Sequence, residues 1–180
     1  MQLDVPFFSQ LDDQIPPDLQ RSVCAIACIK MVLDSRLIPN SFDNLLKEAN
    51  IVGGRERSGW THETVVRVLR NHGVHTYCQE FKAHDIDLTT GDPIPAIHSS
   101  EFANNGIAKI REAIDKGNPT FVSVSAGFGE NTDDHVILVI GYGENTFIAL
   151  DPLQPPDANP ITLPLKDFMH FWKRLTIFTE

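Results

Sequence analysis

The sequence predicts an α+β domain in which an early helix carrying a cysteine packs against a mostly antiparallel sheet. Apolar residues recur at helical spacing in several stretches between Cys24 and Lys116, and from Thr120 onward the pattern changes to alternating or continuous apolar runs. With 180 residues, 42% of them hydrophobic and 22% charged, the chain is long enough to close one core without disulfides or metals. Residues 1–180 therefore read as a single domain.

The opening Val5-Pro6-Phe7-Phe8-Ser9-Gln10 reads as extended chain, and Pro16-Pro17 keeps the lead-in non-helical. Ser22 is placed to cap a helix from about Cys24 to Asp34, where Ala27, Cys28, Met31 and Val32 recur with no Gly or Pro between them. Cys24 then lies in the first turn. Further helices are expected over Ser41 to about Asn50, Thr61 to about His72, and Gly106 to Lys116. The second has Thr61 as its cap and Gly73 just past its end; the third has Ile107, Ile110 and Ile114 on one side and Gly117 as terminator.

Thr120 to Ser125 alternates like a half-buried strand, whereas His135 to Ile140 is nearly continuous apolar sequence, as expected of a central strand. Asn145 to Leu150 follows as another strand. Pro152 to Pro160 reads as a surface loop, and the chain closes with a short helix near Phe168 to Trp172 and a strand over Arg174 to Phe178.

Composition narrows the function classes. A formal charge of -9, with the Lys and Arg residues scattered, disfavours nucleic acid as a partner. The N-terminus lacks a basic segment followed by an apolar run, and no stretch approaches the roughly 18 uncharged residues of a membrane helix. The chain reads as soluble and unexported. Three cysteines, Cys24, Cys28 and Cys78, do not make a disulfide framework and fit a reducing, cytoplasmic compartment. Asp133-Asp134-His135 lacks the Cys or His pairs of a zinc site, so neither a metal nor another cofactor is expected.

The chemistry centres on Cys24, His135 and Asp151. A thiol is a useful nucleophile as thiolate, which a helix N-terminus or a neighbouring imidazolium favours. On the helix reading, the first-turn amides lie beside the Cys24 sulfur and are also candidate oxyanion donors. A hairpin symmetric about Gly143 places His135 directly opposite Asp151, where the carboxylate fixes the imidazole tautomer and supports its charged form. A slip of one residue breaks that pairing.

Four stretches give the chain a family likeness: Val5 to Gln10, Cys24 to Leu33, Asp134 to Gly143, and Asp151-Pro152. It resembles the bacteriocin-processing, double-glycine leader peptidases and their free-standing relatives among the papain-like cysteine peptidases. The resemblance implies a papain-like fold with Cys24 as nucleophile, His135 as general base, Asp151 as orienter and Gln10 as side-chain donor of the oxyanion hole. Gln14 and Gln20 lie closer to the cysteine in sequence and are rivals for the last role. Small residues before the cut are a further implication of the resemblance. The chain departs from the family pattern where Ala25-Ile26 replaces the usual Gly-Pro after the cysteine.

The resulting reading is a thiol hydrolase of a peptide or amide substrate, with oligomeric state left open. A catalytically silent peptide-binding domain and an acyltransferase are alternatives of the same fold. Cys28, one turn below Cys24, is read as core packing, since i,i+4 spacing exceeds disulfide reach. Cys78 carries no functional signal. His62, His72, His75, His84, His98 and His170 default to the surface. The acidic stretch Glu130 to Asp134 either raises the imidazolium pKa and favours a basic substrate or is an ordinary solvated turn.

Overall fold

A computed structural model describes residues 1–56, 59–82, 84–95, 99–128 and 133–180. Its helices are α1 (Cys24–Ser35), α2 (Phe42–Val52), α3 (His62–Asn71), α4 (Ser99–Asp115) and α5 (Leu165–Phe171). The strands are β1 (Arg55–Glu56), β2 (Gly59–Trp60), β3 (Thr76–Glu80), β4 (His84–Ile86), β5 (Pro93–Pro95), β6 (Thr120–Ser125), β7 (Asp134–Tyr142), β8 (Thr146–Leu150), β9 (Ile161–Pro164) and β10 (Trp172–Thr179).

The main sheet is antiparallel throughout, in the order β3-β10-β6-β7-β8-β9. One core joins α1, α2 and α3 to Phe121, Leu138, Ile140, Leu150 and Ile177 of the sheet. A second joins α4 and α5 to Val122, Val124, Ile137, Val139, Phe147 and Phe178. These residues alternate along β6 and β7, so the two cores lie on opposite faces. Covering on both sides explains why β6 is buried from Thr120 to Val124 rather than half-buried, as its alternation suggested.

Residue patterning accounts for the helices. Ser41 and Thr61 cap α2 and α3 by accepting from the amides of Asn44 and Thr64. Helix α1 is buried over Cys24–Ile29 and Met31–Leu33, as suits a helix wedged between the sheet and its neighbours. Ser22 does not cap it: the cap position is Val23, and the Ser22 hydroxyl turns back to donate to the Leu19 carbonyl at 3.0 Å. Helix α4 begins at Ser99 rather than Gly106. Gly106 sits in its interior because a Cβ there would lie 2.4 Å from Trp172 and 2.7 Å from Phe81, so the residue permits close packing instead of starting the helix.

The β7–β8 hairpin departs from the expected symmetry. Tyr142 pairs with Phe147 and Gly141 with Ile148, the register shifts at Ile140, and Val139 then pairs with Ala149 and Leu138 with Leu150. The turn is closed by the Gly143 amide donating to the Thr146 carbonyl at 3.0 Å. One further step sets Asp151 level with Ile137 instead of directly opposite His135. Relative to a hairpin centred on Gly143, the offset is three residues near the turn, and the extra residue Ile140 reduces it to two. An even offset keeps Asp151 on the same face as His135, whereas an odd one would have reversed it.

The first residues of the chain lie along the bulged region. Gln2 bridges to Gly141, the Leu3 amide donates to the Ile140 carbonyl at 2.8 Å, and the Tyr142 amide donates to the Met1 carbonyl at 2.9 Å. A Cβ at Gly141 would stand 2.6 Å from that Met1 oxygen, so the close approach requires glycine.

Candidate active site

Cys24 opens α1, and no side chain caps that helix end. The first-turn amides thus remain available beside the sulfur, with the positive end of the helix dipole. Cys24 is buried to 5% exposure and lines a cleft of about 120 Å³. Ala25 and Ile26 continue the helix as buried core residues, so the departure from the family pattern leaves the helix start regular.

His135 and Asp151 meet despite the shifted register. His135 Nε2 lies 2.6 Å from Asp151 Oδ1, with the two side chains 4% and 0% exposed. The Cys24 side chain also lies near enough to act on the ring and, with Asp151, favours its charged form. Burial alone disfavours the imidazolium, but the hydrogen bonds to Asp151 and Cys24 and their charges outweigh it. The His135 pKa is pushed up from 6.5 to about 9. Cys24, His135 and Asp151 are therefore buried together, with His135 and Asp151 hydrogen-bonded and Cys24 acting on the same imidazole.

Asp151 is itself held from behind. Its amide donates to Asn159 Oδ1 at 2.8 Å, and Asn159 Nδ2 donates to the carbonyls of Asp151 and Pro155, each at 3.2 Å. The Leu153 amide donates to Asp151 Oδ1 at 2.9 Å. The Pro-rich loop is thus more than a surface connection, because it returns Asn159 to clamp the peptide groups of Asp151. Sequence reading missed this residue: an Asn among prolines carries the ordinary signal of a turn.

Gln10 is 1% exposed, while Gln14 is exposed and Gln20 intermediate. The Gln10 amide donates to the Pro152 carbonyl at 2.9 Å, which ties the extended N-terminal segment to the residue after Asp151. Its Nε2 donates to the Gln20 carbonyl at 2.6 Å, and its buried Oε1 has no partner among the described residues. Gln20 is therefore positioned to hold Gln10.

Cys28 is fully buried, with its sulfur 3.6 Å from the Val136 carbonyl. Burial, together with the charges of Cys24 and Asp151, pushes its thiol well above the ordinary range, as suits a packing residue. Cys78 is exposed and pushed up mainly by burial of its sulfur. Among the described residues no group of three His, Cys, Asp or Glu side chains is arranged to hold a metal.

Three of the histidines assigned to the surface are partnered, the exposed His75 with Glu180 at 2.9 Å. His72 Nε2 lies 2.8 Å from Glu48. His62, in the first turn of α3, lines the Cys24 cleft and stands 2.6 Å from the hydroxyl of Ser123 on β6. Burial pushes the His62 imidazole down, against the opposing effects of Asp134 and Glu56. Residues 130–132 of the acidic stretch lie outside the described residues. Asp134 is paired with Lys173, and its charge acts on His62. His98 also lies outside the described residues, and the His84 side chain is not described.

The sequence matches the Peptidase_C39 like family over residues 2–177. No curated protein matches it. Among solved structures, the chain is similar to a double glycine motif protease from an AMS/PCAT transporter in complex with the leader peptide, at 13% identity and TM-score 0.59, covering 99% of this chain and 93% of that one. It is similar to the peptidase domain of Streptococcus ComA, a bifunctional ABC transporter of a quorum-sensing pathway, at 19% identity and TM-score 0.62, covering 99% and 96%. A C39-like peptidase from Bacillus anthracis gives 15% identity and TM-score 0.65, covering 100% and 98%.

Proposed function

Because the chain belongs to the Peptidase_C39 like family and is cysteine peptidase-like, we propose that it hydrolyses a peptide or amide bond at Cys24 through an acyl-thiol intermediate. The observation that carries this reading is the buried group Cys24, His135 and Asp151, in which the imidazole bonds the carboxylate at 2.6 Å and the Cys24 side chain acts on the same ring. In the first half-reaction the Cys24 sulfur bonds to the substrate carbonyl carbon. His135 takes the thiol proton and returns it to the leaving amine as the C–N bond breaks. In the second, water adds to the thioester, His135 takes its proton, and the S–C bond breaks to release the acid and the thiol. Gln10 Nε2 and the Cys24 amide serve the oxyanion.

The similarity to a protease held with its leader peptide supports a peptide substrate, with small residues before the cut. We read residues 1–180 as one such domain. The three unpaired thiols support a reducing, cytoplasmic compartment; among the described residues no helix is long and apolar enough to cross a membrane.

Alkylation by iodoacetamide at neutral pH, followed by peptide mapping, tests the nucleophile without knowledge of the substrate. Cys24 is expected to react at least about tenfold faster than Cys78, and Cys24→Ala to abolish any hydrolysis. A label concentrated on Cys78, or activity surviving in Cys24→Ala, overturns the reading.

A further inference from the structure

The cleft beside Cys24 contains polar groups that the proposed hydrolysis does not use. Trp60 and His62 come from the helical side of the cleft, Ser123 and Val136 from the sheet, and Cys24 stands among them. Ser123 is 5% exposed and bonded to His62 at 2.6 Å. Its neighbours on β6, Phe121, Val122 and Val124, are fully apolar. An apolar residue at position 123 would suit the strand equally well, since a buried hydroxyl is costly unless something uses it.

A second observation is independent of that pair. Trp60 is 7% exposed, and its buried indole Nε1 has no hydrogen-bond partner among the described residues. An indole N–H only donates. Trp60 lines the same cleft, and its N–H is unspent among the described residues. In the His62–Ser123 pair one hydrogen is shared between the two atoms, which leaves lone-pair capacity on the serine oxygen.

Size and charge restrict what fits. The cleft, about 120 Å³, has room for a short side chain. Asp134 and Glu56 line the same cleft and oppose a carboxylate. Glycine or alanine would enter but leave the Trp60 N–H unpaired and the spare lone pair of Ser123, already bonded to His62, unused. A short neutral side chain carrying one acceptor and one donor satisfies them together.

We propose that Trp60, His62 and Ser123 form a side-chain subsite beside Cys24 that selects serine, threonine or asparagine in the substrate, where Trp60 Nε1 donates to the side-chain oxygen and Ser123 Oγ accepts from its O–H or N–H. This rests on the thiol reading of Cys24 and departs from a site fitted to glycine alone. His62 holds the Ser123 hydroxyl and is a positioning residue.

The test uses the full chain and acetylated dipeptide vinyl sulfones, which alkylate a thiol without requiring turnover. Gly, Ala, Ser, Thr, Asn, Asp, Lys and Leu are placed in turn at each of the two residues. Rates at Cys24 are read by intact mass and expressed relative to iodoacetamide, which carries no side chain. The expected result is a preference of about tenfold or more for Ser, Thr and Asn over Gly and Ala at one of the two positions. Ser123→Ala collapses that ratio toward one, and Trp60→Phe lowers it. Equal rates for Ser and Ala in the wild type, or a preference for Gly at both positions, overturn the subsite without help from any variant. Failure of every peptide probe to label a Cys24 that iodoacetamide labels also overturns it, while leaving the reactive thiol standing. Failure of iodoacetamide itself removes the thiol reading and the subsite together.

Discussion

The two ends of the β7–β8 hairpin are held in different ways. At the turn, backbone does the holding: Gly143 to Thr146, Gln2 against Gly141, and Leu3 on Ile140. At the open end the contacts are made by side chains, with His135 bonded to Asp151 and Asn159 gripping Asp151 through its peptide groups. Backbone contacts set a register and tolerate many residue types, whereas the side-chain network requires particular atoms at particular places. Ile140, the extra residue between the two ends, is what allows one end to be offset by three residues and the other by two.

The largest expected effect comes from the open end. Asp151→Asn should lower alkylation of Cys24 by peptide probes by roughly 10³-fold, through loss of the carboxylate that orients the imidazole. It should also return the His135 pKa from about 9 toward its ordinary value, read from the imidazole proton shifts. The same shift has a stability signature. A raised folded-state pKa contributes stability that is fully present below 6.5 and is lost as pH rises through about 9. The wild-type Tm should therefore fall relative to Asp151→Asn as pH increases across that window.

A matched pair of insertions separates the two ends directly. One alanine placed after Leu150 moves Asp151 by a single strand position, to the face away from His135, and should cost as much activity as removing the carboxylate. The same alanine placed after Glu144, in the turn, should change the rate less than about threefold. Comparable losses from both insertions would show that the ends are not independent.

Smaller effects follow from the supports. Asn159→Ala removes the clamp on Asp151 and should lower the rate constant of the chemical step by about 10- to 100-fold, the scale of an ångström-level misplacement. Its apparent affinity for peptide probes should stay within about twofold, because Asn159 lies behind the carboxylate. Gly141→Ala forces a Cβ against the Met1 carbonyl and should cost about 1–3 kcal/mol of stability in urea unfolding, with activity per folded molecule largely retained.

What was legible in the sequence follows the same division. Helical and strand periods identified α1, α3, β6 and β7 because side-chain burial repeats with the backbone. The family likeness drew Gln10, Cys24, His135 and Asp151 together, and the folded chain bonds His135 to Asp151 and buries Cys24 close to the same imidazole. The hairpin centre was misplaced because a bulge leaves no mark in composition: Ile140 is an ordinary core residue whose doubled position appears only when the partner strand is seen. Gly106 misled for a related reason, since a glycine needed for close packing against Phe81 and Trp172 is indistinguishable from one that ends a helix. His62 and Asn159 owe their importance to partners 61 and 8 residues away, beyond the reach of any local pattern.

The strap joining Gln10 to Pro152 bears on how the protein is made. Ser9 and Pro152, bonded side chain to backbone, stand 143 residues apart, and Asn159 lies later still. During synthesis the helix carrying Cys24 leaves the ribosome a hundred residues or more before His135, Asp151 and Asn159. Loop closure over such a span is slow and comes late in folding. Over that interval the nascent chain carries Cys24 without the His135–Asp151–Asn159 network that packs beside it in the folded protein.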